Sequence, residues 1–244
     1  MVGTAVVIFN LGGPDGLETV KPFLFNLFND PTILRMPAPA RWLVARLISW
    51  RRAPVARAIY GRMGGRSPIL EQTRKQAEAL QRAIDEPGLE VFVAMRHWHP
   101  FAEECAAEVR KIAANRIILL PMYPQFSTTT TGSFLQIWSR AAVTVGLDAH
   151  TTAICCYPTE PGFIEAVTEK IRPAYRTAAR HGTPRVLFSA HGLPRKFVET
   201  GDGYQHQVEQ TVAAMVEALA MDGLDYVICY QSRVGRMEWL QPYT

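Results

Sequence analysis

The sequence predicts an α/β protein built from parallel sheets that helices flank. Three observations support this prediction. Short apolar runs rich in β-branched residues alternate with helical patterns along all 244 residues. Nearly every run ends in a polar or glycine-containing loop, as parallel strands do at the carboxyl edge of a sheet. The runs fall into two sets of three, which predicts two similar lobes, the second of them short of a covering element after its last strand.

The composition is that of an ordinary globular protein, with 48% hydrophobic and 20% charged residues. No run of 18 apolar residues occurs and no signal peptide is recognisable, so we expect a cytoplasmic protein and leave membrane association open. The cysteines show no C-x-x-C spacing, which predicts buried, reduced thiols and no thiolate metal cluster. They are Cys105, Cys155, Cys156 and Cys229.

The first predicted strand is residues 4–11, a continuous apolar run typical of a strand buried on both faces. It leads into the glycine-rich loop 12–16, where backbone could approach a ligand closely. The loop lacks the G-x-G-x-x-G and P-loop patterns, so a plain strand-to-helix turn is an equal alternative. An amphipathic helix is predicted over residues 17–29.

Residues 31–70 form a basic segment with eight arginines and no Asp or Glu, although the whole chain carries a net charge of only +4. Such a segment suits an anionic partner. A predicted helix at residues 40–50 interleaves Trp42 and Trp50 with arginines. This pattern fits an interfacial membrane contact or a lip over an apolar anionic ligand. The alternative is a core helix with a solvated arginine face. The absence of Asp and Glu from residues 31–70 favours a functional role.

A glycine-rich turn, residues 60–68, follows the basic helix. Ser67 is the predicted N-cap, and Pro68 the first residue, of a helix over residues 68–85. Arg62 and Ser67 beside such a turn could hold a ligand carboxylate through charge-assisted hydrogen bonds.

The next strand, residues 90–95, ends in the polar run Arg96-His-Trp-His-Pro100. A helix at 101–114 and a strand at 116–120 lead to a loop in which Ser127 precedes four threonines. These hydroxyls, together with the first amides of a helix at 133–145, could bind an anion, or the threonines could be an extended N-cap.

The second half repeats this order of elements, with strands predicted at 150–155, 186–190 and 225–230 and helices at 161–180 and 204–221. His191 directly follows the strand at 186–190, which we interpret as buried. Reactive groups of α/β proteins lie past the carboxyl ends of strands, so His191 is a candidate site residue. The alternative is a structural histidine that bonds a loop carbonyl.

Six blocks of the chain resemble, in family order, the signature blocks of ferrochelatases. Together they span almost the whole chain, so their combination is specific although each block alone is weak. They are Phe9-Asn-Leu-Gly-Gly-Pro14, Gly64-Gly-Arg-Ser-Pro68, Met95-Arg-His-Trp-His-Pro100, Tyr123-Pro-Gln-Phe-Ser-Thr-Thr-Thr-Thr-Gly132, Phe188-Ser-Ala-His-Gly-Leu-Pro194 and Tyr230-Gln-Ser-Arg-Val-Gly235.

The resemblance implies insertion of Fe(II) into protoporphyrin IX, the last step of haem synthesis. It also implies two Rossmann-like lobes of the chelatase type with the porphyrin between them. We assign residues 1–134 to the first lobe, with its basic lip helix, and residues 135–244 to the second. The expected partners are protoporphyrin IX and Fe(II), with a peripheral membrane contact through residues 40–52 and no nucleic acid. No permanently bound cofactor is expected.

The resemblance also implies roles for single residues. His191 matches the family histidine that binds the metal or accepts the pyrrole protons, and we take it as the catalytic residue. Leu11, Arg62, Ser67 and Arg96 match positions that line the porphyrin pocket or hold the propionates. These residue types suit the chemistry, because a porphyrin is an apolar disc with two carboxylates and a central site that must lose two protons.

The chain departs from the family pattern in four respects. His97 replaces the usual tyrosine, and Arg236 replaces a proline. Thr128 occupies the position of a cluster-binding cysteine in animal members, which predicts that no iron–sulfur cluster is held. Family members continue past Thr244 and carry there a glutamate opposite the histidine, so we expect a C-terminally truncated chain. A catalytically incomplete porphyrin-binding fragment is therefore the alternative function.

Overall fold

The structure, a computed structural model, describes residues 3–233, 235 and 237–244. It confirms the α/β class, since parallel strands alternate with helices over these residues. The elements are β1 (Thr4–Asn10), α1 (Val20–Phe28), α2 (Ala38–Arg62), α3 (Ile69–Ile84), β2 (Leu89–Met95), α4 (Ala102–Lys111), β3 (Arg116–Pro121), α5 (Thr131–Val145), β4 (His150–Ala153), α6 (Pro161–Ala178), β5 (Val186–His191), α7 (Arg195–Glu199), α8 (Tyr204–Leu219) and β6 (Tyr226–Gln231).

The chain forms two compact units. The first contains the residues up to Tyr123 together with Thr128–Cys155, and the second contains Pro124–Ser127 and Cys156–Thr244. The segment 124–127 therefore leaves the first unit for the second, and the chain returns before α5. The boundary that we drew between residues 134 and 135 falls inside α5, which lies wholly in the first unit.

The first unit is built on a parallel sheet of four strands in the order β2-β1-β3-β4. The central strand β1 is buried along its length, as its apolar run predicts. Phe9 stacks on Phe134 of α5 with ring centroids 4.0 Å apart. We expected three strands in each lobe, and this is wrong. Strand β4, which we assigned to the second lobe, pairs in parallel with β3 and is the fourth strand of the first sheet.

The second unit contains a parallel pair, β5 and β6, in register from Val186 opposite Tyr226 to His191 opposite Gln231. Its core is small and includes Leu193, Val208, Tyr230 and Leu240. We interpreted β5 as buried, but its residues are alternately half-buried and exposed. Leu187 is 56% exposed. Apolar composition alone did not distinguish a strand covered on one face from one covered on both.

Helix α2 is longer than predicted and continues through the arginines to Arg62. Its buried positions carry the short side chains Ala45, Ser49 and Ala53, and these positions face α1. Pro54 lies inside the helix. Proline usually disrupts a helix interior, so packing against α1 outweighs the local preference here.

Two local predictions need correction. Helix α3 begins at Ile69 with Pro68 as its N-cap, one residue later than predicted, although the Ser67 hydroxyl still accepts a 3.3 Å hydrogen bond from the Ile69 amide. None of the four cysteines is in a disulfide, but only Cys105 and Cys229 are buried, and Cys155 is exposed. Cys155 follows the short strand β4, where little of the fold covers it.

Candidate functional site

Three of the four predicted porphyrin-binding residues meet at the carboxyl ends of β1 and β2, in the first unit. The backbone amide of Arg96 donates to the carbonyl of Asn10 over 2.9 Å, and the next amide donates to the carbonyl of Leu11 over the same distance. The amide of Ser67 donates to the carbonyl of Pro14 over 2.8 Å. The sheet thus brings Leu11, Ser67 and Arg96 to one edge, where ligands of α/β proteins bind.

Gly13 allows the loop after β1 to lie directly against the start of α3. A Cβ atom at this position would lie 2.5 Å from the Ser67 Oγ atom and 3.1 Å from a side-chain carbon of Ile69. Real side chains do not approach so closely, so the loop after β1 and the start of α3 fit together only with glycine here.

Arg62 stands apart from this group. It is the last residue of α2, and its side chain is exposed. Among the described contacts none joins Arg62 to Ser67 or Arg96. The turn from residue 63 to residue 66, with positive φ angles at Gly64 and Gly65, separates it from Ser67.

A buried polar network surrounds Arg96. Its Nη2 atom lies 2.7 Å from Asp30 Oδ2, and its Nε atom donates to the Ser133 hydroxyl over 2.6 Å. That hydroxyl donates to Asp30 Oδ2 over 2.6 Å, while the amide and hydroxyl of Thr32 donate to Oδ1. The Asp30 side chain is fully buried, and the Arg96 side chain is only 13% exposed. Two of the three guanidinium nitrogens are therefore engaged within the protein.

The network fixes the charges of both partners. Burial alone would raise the pKa of Asp30, but Arg96, Ser133 and Thr32 together lower it below its ordinary value. Burial lowers the pKa of Arg96, and the Asp30 carboxylate acts in the opposite direction. A carboxylate with three hydrogen-bond donors and a neighbouring guanidinium stays ionised at neutral pH. The carboxyl edge of this sheet therefore holds a buried ion pair that is charged at neutral pH.

His97 lies against this pair with its side chain fully buried. Its Nε2 atom is 3.8 Å from Asp30 Oδ2, and neither ring nitrogen has a hydrogen-bond partner among the described residues. Burial, assisted by the Arg96 charge and opposed by Asp30, lowers the pKa of His97 to about 3. His97 is therefore a neutral, desolvated imidazole at the position where the family carries tyrosine.

Sequence reasoning missed Asp30 and Ser133. The sequence predicted a helix that ends just before Asp30 and another that begins at Ser133, and it assigned no role to either side chain. Asp30 is the only acid between Glu18 and Glu71 in the sequence, at the border of a segment rich in arginine. An isolated acid there could have indicated an ion-pair partner, but not which arginine it binds.

In the second unit, His191 is the last residue of β5 and is exposed. Its Nδ1 atom lies 2.8 Å from the carbonyl oxygen of Gly192. A carbonyl oxygen can only accept, so Nδ1 carries the hydrogen, and in the neutral ring the lone pair is on Nε2. The structural alternative for this histidine, a bond to a loop carbonyl, is thus observed. The same bond sets the tautomer in which Nε2 can bind a metal ion or accept a proton.

Gly192 connects His191 to the neighbouring strand. Its amide donates to the carbonyl of Gln231 over 2.7 Å. A Cβ atom here would lie 2.7 Å from that same oxygen and 3.3 Å from the Trp239 ring. The close approach requires glycine, which fixes the direction in which the chain leaves β5.

The segment 124–127 packs against α8 in the second unit. Gln125 donates to the Thr211 hydroxyl over 2.8 Å, and the Phe126 amide donates to Gln207 Oε1 over 2.7 Å. The Ser127 hydroxyl donates to buried Asp202 over 3.0 Å. The hydroxyl that we considered as an anion donor thus supports the loop before α8.

The outer side of α2 carries an apolar and basic surface, which we call the α2 face. It includes Trp42, Leu43, Leu47 and Trp50, which are between 46% and 63% exposed. Arg46 lies over the Trp42 ring, 5.4 Å from its centroid. Beside it a groove of about 360 Å³ opens, lined by Lys21, Pro22, Phe25, Trp42, Arg46 and Ser49. No helix in the described part of the chain is long and apolar enough to cross a membrane.

Among the described residues, no group of three or more His, Cys, Asp or Glu side chains is placed to hold a metal ion. The absence of an iron–sulfur cluster stays a prediction. Arg236, which replaces a proline of the family pattern, lies outside the described residues.

Comparisons with known proteins agree with the sequence blocks. The family model described as Ferrochelatase matches residues 3–244. A protein named ferrochelatase from Hyphomonas neptunium is 52% identical over 98% of this chain and 67% of its own length. Relatives of the same name from Caulobacter vibrioides and from a Wolbachia of Drosophila simulans are 50% and 48% identical, over 69% and 77% of their lengths.

Proposed function

The chain belongs to the ferrochelatase family, and we propose that it inserts Fe(II) into protoporphyrin IX to form haem. Family membership supports metal insertion into a porphyrin as the reaction class. Fe(II) enters the macrocycle as its two pyrrole N–H groups lose their protons, so one divalent ion replaces two protons and no redox step is needed. The single observation that carries the proposal is the exposed His191 imidazole at the end of β5, with its Nε2 lone pair directed away from the bond to Gly192.

His191 is the proposed catalytic residue. An imidazole with Nδ1 fixed as a donor presents Nε2 either to the incoming iron or to a pyrrole proton. The two roles use the same lone pair and cannot operate at the same instant. The bond to Gly192 keeps the ring from rotating Nδ1 into that position, and Gly192 is itself held by Gln231.

Leu11, Arg62, Ser67 and Arg96 are the proposed porphyrin-binding residues. Leu11 supplies an apolar contact for the macrocycle, and Ser67 a hydroxyl beside the loop after β1. Arg62 is exposed and can bind a propionate as a bidentate partner. Arg96 acts differently, because Asp30 and Ser133 already engage it; it contributes a fixed positive charge at the sheet edge.

The test is a metal-insertion assay under anaerobic conditions. Protoporphyrin IX and Fe(II), or Zn(II) as a redox-inert substitute, are added to the purified protein, and the Soret band and porphyrin fluorescence are followed. The proposal is supported if each protein molecule removes the fluorescence of many free porphyrin molecules. Porphyrin binding without insertion would favour the alternative, a porphyrin-binding protein that is catalytically incomplete. A folded protein that does not bind porphyrin would exclude both functions.

The α2 face supports a second proposal, a peripheral contact with an anionic membrane surface through residues 40–52. Exposed Trp and Leu side chains there lie beside arginines, and no acid occurs between residues 31 and 70. Aromatic and aliphatic groups of this kind insert into the headgroup region, while arginines attract anionic lipids. Such a contact would bring the protein to a membrane that holds its apolar substrate.

A further inference from the structure

One nitrogen of the Arg96 guanidinium is left for a ligand. Its Nη2 atom lies 2.7 Å from Asp30 Oδ2, and its Nε atom donates to the Ser133 hydroxyl over 2.6 Å. The third nitrogen, Nη1, has no hydrogen-bond or ion-pair partner among the described residues, and it is not one of the buried polar atoms that lack a partner. Nη1 is therefore accessible, at the sheet edge where Leu11 and Ser67 also lie.

The Ser133 hydroxyl is both an acceptor and a donor in this network. It accepts from Arg96 Nε, because a guanidinium nitrogen can only donate. It donates its single hydrogen to Asp30 Oδ2 over 2.6 Å, because an ionised carboxylate can only accept. The directions of both bonds are therefore determined. The hydroxyl joins the guanidinium to the carboxylate by a second path, beside the direct ion pair.

Ser133 is itself held in place by the packing of α5. It is the third residue of this helix and is only 1% exposed. The next residue, Phe134, is fully buried and stacks on Phe9 of β1, and Trp138 lies one turn further on in the same core. The start of α5 is therefore fixed against the sheet that also carries Arg96. The hydroxyl can thus restrict the guanidinium rather than follow its movements.

We propose that Ser133 is a positioning residue for Arg96: its hydroxyl fixes the guanidinium so that Nη1 alone meets one oxygen of a porphyrin propionate. This rests on the proposed function, in which Arg96 binds the porphyrin. The contact with Asp30 alone would let the planar group tilt, whereas contacts through two nitrogens fix its plane. A donor that is already oriented loses less freedom on binding. The propionate is bound here through one charge-assisted hydrogen bond, not through the bidentate contact that exposed Arg62 can make.

Ser133→Ala tests the proposal with two porphyrins that differ only in their carboxylates. The Kd values for protoporphyrin IX and for its dimethyl ester are measured in the same mild detergent by quenching of tryptophan fluorescence. We expect Ser133→Ala to bind protoporphyrin IX about fivefold more weakly and the ester, which offers Arg96 no carboxylate, as tightly as the wild type does. Ser133→Thr keeps the hydroxyl and should restore the binding. Thr144→Ala, which removes an exposed hydroxyl from the other end of α5, should change neither Kd.

The second measurement needs no porphyrin. The Nε hydrogen of Arg96 is followed by proton–nitrogen NMR, and we expect its exchange with water to be about tenfold faster in Ser133→Ala than in the wild type or Thr144→Ala.

Equal weakening for both porphyrins, an unchanged Kd for protoporphyrin IX, or unchanged exchange of the Nε hydrogen would each overturn the positioning role. Wild-type protein that binds both porphyrins and inserts no metal would overturn the proposed function alone, because the two Kd values still decide the role of Ser133. Wild-type protein that binds neither porphyrin would overturn both proposals.

Discussion

Asp30 and Arg96 form an ion pair 2.7 Å long, in which the carboxylate is fully buried and the guanidinium nearly so. The pair joins the end of α1 to the end of β2, and Ser133 ties it to α5. It therefore fixes the edge at which Leu11 and Ser67 also lie. The geometry makes Arg96 a structural residue of the candidate porphyrin site as well as a candidate ligand-binding one.

Asp30→Asn should strongly destabilise the protein, because it leaves Arg96 charged and buried without its counterion. Removing one partner of a buried pair costs about 3–5 kcal/mol. Denaturant unfolding at pH 7 measures the loss. Glu71→Gln is the control, since it removes an exposed ion pair with Lys75 and should leave the unfolding midpoint unchanged. Equal midpoints for Asp30→Asn and the wild type would refute the structural role of the pair.

His97 should make the protein less stable in mild acid. Its pKa is lowered from 6.5 to about 3 in the folded state, so the unfolded chain binds a proton that the folded chain excludes. The contribution of neutral His97 to the free energy of unfolding is fully present above about pH 6.5 and is lost as the pH falls towards 3. At pH 5 the free energy of unfolding should be lower by about 2 kcal/mol. The pKa of Asp30 is lowered from its ordinary value, so its carboxylate stays ionised at both pH 7.5 and pH 5.

The measurement is the free energy of unfolding at pH 7.5 and pH 5 for the wild type and His97→Phe. The variant should lose most of the dependence on pH between these values. His150→Gln, which changes an exposed histidine of the same unit, should retain it. Identical pH dependence in the wild type and His97→Phe would show that His97 is not held neutral by burial.

Gly192→Ala should impair metal insertion at least tenfold, because its methyl group cannot fit 2.7 Å from the carbonyl oxygen of Gln231. The chain must shift there, and the bond that sets the His191 tautomer shifts with it. Initial rates of zinc insertion measure the effect. Gly203→Ala is the matched control, since that glycine has a φ of −76° and open space around its Cβ position. Similar rates in both variants would argue against the rigid connection between Gly192 and β6.

The α2 face should bind anionic vesicles. The double variant Leu43→Ser and Trp50→Ser removes two exposed apolar contacts, each worth about 1.5–3 kcal/mol when buried, so partitioning should fall by at least tenfold. Co-sedimentation with phosphatidylglycerol vesicles measures it, and Val143→Ser, on exposed α5 surface, is the control. Equal binding by the double variant and the control, or equal binding to phosphatidylcholine vesicles, would contradict the proposal.

The sequence predicted the α/β class, the order of the strands along the chain and three residues that meet at one sheet edge. These succeed because apolar runs and the loops after them depend on local sequence. Pairing does not, and this is why β4 was assigned to the wrong half although it lies beside β3. Asp30 was missed for the same reason: an ion pair between residues 66 positions apart leaves no local pattern.

Single-turnover zinc insertion by His191→Ala tests the central claim most directly, namely that this imidazole carries the reaction. The variant should insert metal at least a hundredfold more slowly than the wild type, with a Kd for protoporphyrin IX changed less than about threefold. His206→Ala, which changes an exposed histidine on α8, should keep the wild-type rate. Insertion by His191→Ala at the rate of the wild type would contradict the account.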